Sequence, residues 1–163
     1  RPVIAAVNGL ALAGGLELVL CCDLVVAART ARIGDAHANY GLLPGGGSSV
    51  RLPRKIGVTA AKYLLYTGDF VPAESLVAAG LVNQVVDDTK LHAAVDELVE
   101  KLASKSPLVL TRMKALIDDG IEQPQATALR LELLASEVHA HSHDMREGLA
   151  AFEEKRKPEF TGR

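Results

Sequence analysis

The chain has 163 residues, 48% of them hydrophobic but only 4% aromatic, and a formal charge of −2. That length fits one ordinary domain with a core of Ala, Val, Leu and Ile. The charge balance speaks against a general nucleic-acid or anionic-membrane partner, and two adjacent cysteines, Cys21 and Cys22, are too few for a disulfide framework, so a reducing cytoplasmic home is expected.

Residues 2–7 are short, apolar and β-branched at intervals, as in a buried strand. Asn8-Gly9 is a turn signal. Ala13-Gly14-Gly15 then leads into residues 16–22, a buried helix opened by glycines. Residues 9–28 are apolar enough to raise the question of a membrane span. Glu17 lies mid-stretch, and a central carboxylate costs about 3 kcal/mol in a bilayer, so none is expected. The chain lacks an initiator Met and enters a strand almost at once, so no signal peptide is read. Residues 23–28 form a second buried strand and 31–34 a short third, the layout of a layered α/β unit.

Residues 35–49 read as mainly loop, punctuated by Pro44 and Gly45-Gly46-Gly47. The glycine run lacks the Lys-Ser/Thr ending of a phosphate loop, so a tight turn into a helix is expected. Residues 59–67 read as a helix closed by Gly68, and 72–79 as another, with Pro72 in its first turn and Gly80 past its end. Residues 83–86 form a short strand. From Leu91 the pattern is helical, with Leu91, Val95, Leu98, Val99 and Leu102 on one face. Further helices are expected over 108–118, 125–139 and 145–155.

Four groups could carry chemistry. A helix tip opened by glycines presents unpaired N–H groups to a ligand, so Gly14 N–H is a candidate oxyanion donor, with Gly15 and Ala13 beside it. Glu17 lies one turn deeper; its bland alternative is a satisfied structural carboxylate. His37 is a candidate for proton transfer, although an isolated loop histidine is more often structural or solvated. His139, His141 and His143 alternate, and a helix would put His139 and His143 on one face. No third metal ligand is evident, and a solvated connection between helices is expected there. The charge run at residues 153–158 reads as a solvated helix end, its basic residues able to contact a phosphate-bearing ligand.

Residues 1–18, 22–28, 40–54, 80–86 and 151–160 together resemble the crotonase superfamily, the enoyl-CoA hydratase/isomerase family. The resemblance runs essentially end to end. It implies an α/β fold: a partial spiral of ββα units over residues 1–88, then a C-terminal helical, trimerisation subdomain over 89–163. It implies homotrimers or hexamers and no cofactor beyond a coenzyme A thioester as substrate, held with its carbonyl oxygen between two backbone amides. Gly14 matches the second of these donors, and Glu17 matches the first of the two hydratase glutamates, which positions and activates water. Lys155 falls where a CoA phosphate contact is possible. Hydration of a 2-enoyl-CoA is favoured, with double-bond isomerisation, or acyl-CoA binding or assembly without catalysis, as alternatives.

Two departures stand out. The family's second glutamate, which exchanges the proton at the α-carbon, falls at His37. The aspartate used by some dienoyl isomerases and dehalogenases falls at Gly45. The resemblance also implies that an N-terminal portion carrying the first oxyanion donor precedes Arg1, so that this stretch alone is expected to lack half of the oxyanion hole.

Overall fold

Two short sheets, each built round a parallel strand pair, carry the N-terminal half of the chain. In the computed structural model, which describes residues 1–163, β1 (Ile4–Val7) pairs in parallel with β3 (Leu24–Ala28), and β3 with β6 (Gln84–Val86). In the second sheet β2 (Leu10–Leu12) runs parallel to β4 (Arg32–Gly34), and β4 pairs antiparallel with β5 (Val71–Pro72). Central β3 is apolar along its length because it is covered on both faces; Val25, Val26, Ala27 and Ala28 are all buried.

Between β2 and β3 lies the seven-residue helix α1 (Gly14–Leu20), which sends Leu16, Val19 and Leu20 into the core. The helices α2 (Ser48–Ile56) and α3 (Val58–Thr67) follow, the first burying Leu52 and Ile56, the second Ala61 and Leu64. Helix α4 (Leu91–Ala103) seals the same core with Leu91 and Ala94, backed by Val95 and Leu98. Val99, expected on that buried face, is 47% exposed.

The chain divides into two compact units, Val3–Leu98 and Val99–Arg163 with Arg1–Pro2. The second contains α5 (Pro107–Gly120), α6 (Gln125–Ala140) and α7 (His143–Glu153). The mixed α/β class with a helical C-terminal region is as the sequence predicts. No helix is long and apolar enough to cross a membrane.

One expectation is corrected, and one strand was missed. Residues 72–79 are not a helix: Val71 and Pro72 are taken up by the free edge of β4, opposite Ile33 and Arg32, and only a 3-10 turn at Ala73–Leu76 follows. Sheet pairing overrides the local Pro-first, Gly-last signal, though Gly80 does adopt a left-handed φ of 84°. Strand β2 was not foreseen, because three residues next to a turn have no periodicity to read. The connection expected between helices falls at His141 and Ser142, which separate α6 from α7, so His139 and His143 do not share a helix face. Ser142 caps α7, its hydroxyl accepting from Met145 N at 3.2 Å.

Within the second unit, Asp144 pins the C-terminal tail. Its carboxylate accepts from Ser106 Oγ at 2.5 Å, Thr161 N at 2.8 Å and Gly162 N at 3.0 Å. Glu147 receives Arg156 through two N–H donors at 2.5 and 2.9 Å and Glu159 N at 2.7 Å. The charge run at residues 153–158 is therefore partly folded back onto α7 rather than wholly solvated.

Burial pushes the Asp144 carboxyl up, but the bonds from Ser106, Thr161 and Gly162 outweigh it and hold the group well below its ordinary 3.8. The Arg156 bond, then the Glu159 amide, bring Glu147 from 4.5 down to about 2. Both folded values lie below the unfolded ones, so this stability is present above the unfolded values and is lost as pH falls towards the folded ones. Thermal melts should lose Tm progressively from about pH 4.5 towards pH 2, and Asp144→Asn should flatten that slope. A wild-type Tm unchanged across this window would contradict the assignment.

Candidate functional site

Strands β2 and β4 run side by side in the same direction, with Leu12 opposite Gly34. The chain leaves both strands at one edge, and the carboxyl ends of parallel strands are where α/β proteins gather ligand-binding groups. Beyond Leu12 come Ala13 and Gly14; beyond Gly34 come Asp35, Ala36 and His37. Ala13 N donates to Gly34 O at 3.2 Å, which ties the two exits together. Ala13 (φ 47°) and Ala36 (φ 64°) both hold positive φ without being glycine. Such strain persists where surrounding structure enforces it, and functional sites are where it concentrates.

Gly14 is the first residue of α1, where an amide has no carbonyl within the helix to bond. A Cβ on Gly14 or Gly15 would meet nothing within 4 Å, so the space outside the helix tip is open. Gly14 itself is exposed.

Glu17 does not point into the apolar core around it. Its amide donates to Ala13 O at 3.0 Å, and its Oε1 accepts from Gly46 N at 2.7 Å and Ser48 N at 3.3 Å. The glycine run is thus more than the turn expected before α2; it seats the Glu17 carboxylate. Gly46 is required by closeness: a Cβ there would lie 2.7 Å from Glu17 Cδ. Gly47 is required by conformation, at φ 112°, and Arg51 Nη1 clamps the loop by donating to Gly46 O at 2.7 Å. Ser48 is fully buried, and its Oγ has no partner.

His37 opens a 3-10 turn, His37–Tyr40, whose Asn39 side chain donates to Gly68 O at 2.9 Å. The imidazole is only 12% exposed, and its Nδ1 lies 2.9 Å from Asp35 Oδ1. The turn is therefore a fixed platform for a paired histidine, not a solvated loop.

The structure gathers Ala13, Gly14, Gly15, Glu17 and His37 at one strand edge in the first unit. Asp35, Gly46 and Ser48 belong with them and were not singled out from sequence. A clue to Asp35 was its two-residue spacing from His37 in a loop. Lys155 lies in the second unit, exposed, with φ 54°. His139 accepts from Arg112 Nη1 at 2.8 Å, and no group of three or more His, Cys, Asp or Glu is placed to hold a metal.

The whole chain, residues 1–163, matches a family described as enoyl-CoA hydratase/isomerase. It is 40% identical over 163 residues to a crotonyl-CoA hydratase of Syntrophomonas wolfei, matching 100% of this chain and 63% of that protein. It is 37% identical to a short-chain-enoyl-CoA hydratase of Clostridium acetobutylicum, across 98% of this chain and 61% of the relative. Among solved structures, an enoyl-CoA hydratase from Bacillus anthracis superposes with a TM-score of 0.97 at 43% identity, covering 100% of this chain and 63% of that one. The chain thus spans a little under two thirds of the length of these relatives.

Proposed function

Because the chain belongs to the enoyl-CoA hydratase/isomerase family, we propose that the protein acts on an acyl-CoA thioester through an enolate, and that it hydrates a 2-enoyl-CoA. The observation that carries this reading is the open Gly14 amide with the amide-seated Glu17 carboxylate one turn beyond it. Relatives named for crotonyl-CoA and short-chain enoyl-CoA hydration support it.

In this reading Glu17 takes a proton from water as the water oxygen bonds to C3 of the substrate. The C2=C3 electron pair becomes the C1=C2 bond, the carbonyl π pair moves onto the thioester oxygen, and the Gly14 N–H stabilises the negative charge that develops there. As the enolate collapses, C2 takes a proton from His37 Nε2–H. A glutamic acid in that place would be a neutral acid; His37 donates as a cation, so the proton donor and the enolate carry opposite charges. Gly15 and Ala13 shape the helix tip, and Lys155 is available to a CoA phosphate. The reading needs no cofactor beyond the thioester, and a homotrimer or hexamer in the cytoplasm suits it.

The test is hydration of crotonyl-CoA by the full-length protein, followed by loss of ultraviolet absorbance of the conjugated thioester. Turnover is expected, with His37→Ala slower by about 10²-fold. The replacement of the family's second glutamate by His37 favours one other reading, a non-catalytic acyl-CoA-binding or assembly protein. Calorimetric binding of acyl-CoA, with no turnover on a panel of enoyl-CoAs including isomerisable 3-enoyl thioesters, would establish that reading instead.

A further inference from the structure

Asp35 is the ionisable group at this edge to which the reaction above gives no work. Its residue is 1% exposed, and a carboxylate so enclosed is costly unless it is paired. One oxygen is paired: Oδ1 lies 2.9 Å from His37 Nδ1 and accepts from His37 N at 3.3 Å. The other, Oδ2, is buried with no partner at all. Ala36 between them is held at φ 64°, which turns the chain so that the imidazole reaches back two residues. Two costs, an unsatisfied oxygen and a strained alanine, are thus borne where Asp35 meets the His37 ring.

A structural explanation exists: Asp35 Oδ1 on His37 N is an Asx-type turn that would start the 3-10 helix. That contact is the longer of the two, and it would not require the ring to lie against the same oxygen. The shorter contact has a chemical consequence. A carboxylate only accepts, so the proton shared with the ring belongs to Nδ1. The lone pair, and the proton that comes and goes, are then on Nε2.

We propose that Asp35 is a positioning residue for the reaction, which acts through His37 by fixing the Nδ1–H tautomer and presenting Nε2 as the nitrogen that exchanges the substrate's α-proton. This rests on the hydratase reading for its catalytic part. The pair Asp35-His37 then does with two side chains what the family does with one glutamate. Through Nε2 the ring can give a proton to C2 and recover it afterwards.

The tautomer can be read without turnover. In 15N NMR of the full-length protein with labelled histidine, neutral His37 is expected to show a protonated Nδ1 and a lone-pair Nε2. Asp35→Ala should shift the ring towards Nε2–H, the form preferred by free imidazole side chains. In kinetics, Asp35→Ala should lower kcat by about 10²-fold while KM changes little. In a His37→Ala background the same change should cost nothing further, because Asp35 has lost the group it acts through. Asp35→Asn, the same shape without the charge, serves if the alanine variant does not fold, and should also lower kcat. An Nε2–H ring in the wild type, or an undiminished loss in the His37→Ala background, would overturn the proposal. Absence of hydration in the wild type would overturn the catalytic reading of His37, while the tautomer shift still decides whether Asp35 holds the ring.

Discussion

Glu17→Gln should lower kcat/KM on crotonyl-CoA by about 10²–10⁴-fold, and Gly46→Ala by about 10²-fold with Glu17 still in place. The first change keeps the shape of the side chain and both amide bonds to an oxygen, from Gly46 N at 2.7 Å and Ser48 N at 3.3 Å, but removes the basic group. The second keeps the base and moves it. An alanine Cβ at residue 46 would lie 2.7 Å from Glu17 Cδ and 3.2 Å from Glu17 Cβ, so the carboxylate or the loop must shift. A displacement near 1 Å is enough to spoil the line from base to water to C3. Gly9 supplies the control: a Cβ there meets nothing within 4 Å, so Gly9→Ala should leave the rate close to wild type. Steady-state kinetics on the three variants, with melts to confirm folding, test the seat directly. Equal rates for Gly46→Ala and Gly9→Ala would mean that the glycine loop does not hold Glu17 in the working geometry.

That seat also shows what the sequence could and could not reveal. The strand, glycine turn, helix and strand of residues 2–28 were legible because each element carries its own signal: β-branched apolar runs for β1 and β3, paired glycines ahead of α1. Glu17 was conspicuous for the same reason, as one charge in an apolar stretch. The partner of Glu17 was not legible, because Gly46 lies 29 residues away and nothing local distinguishes a glycine that makes a turn from one that makes room. Asp35 stayed hidden behind His37 because it sits among loop residues, where an acidic side chain is unremarkable until its burial is known. Pairing was the other blind spot. Residues 71–80 carry helix punctuation, yet the edge of β4 captures the first two, and no window on the sequence contains both partners. The break among His139, His141 and His143, by contrast, was legible, because Ser142 is a local capping signal, and it does cap α7. Local chemistry therefore drew attention to Glu17 and His37, and tertiary folding supplied their partners, Gly46 and Asp35.

Leu16→Ala should destabilise the protein by about 2–5 kcal/mol, the loss expected on truncating a fully buried leucine. Leu16 has 0% exposure and sits between Gly15 and Glu17, on the buried side of a helix only seven residues long. So short a helix gains little from its own hydrogen bonds; the core contacts of Leu16, Val19 and Leu20 hold it in place. Removing three carbons from the centre of that contact forfeits their transfer free energy and leaves a cavity that the strands around it cannot close. Leu18, two residues on, is 72% exposed, and Leu18→Ala should change stability by less than about 0.5 kcal/mol. Urea denaturation of both variants measures the contrast, and similar midpoints would refute the burial assignment. The same experiment bears on function, because the packing that fixes Leu16 also fixes the amide of Gly14 before it and the carboxylate of Glu17 after it. A Leu16→Ala protein that remains folded should therefore lose kcat as well as stability, since the helix tip and the base would no longer be held to one geometry.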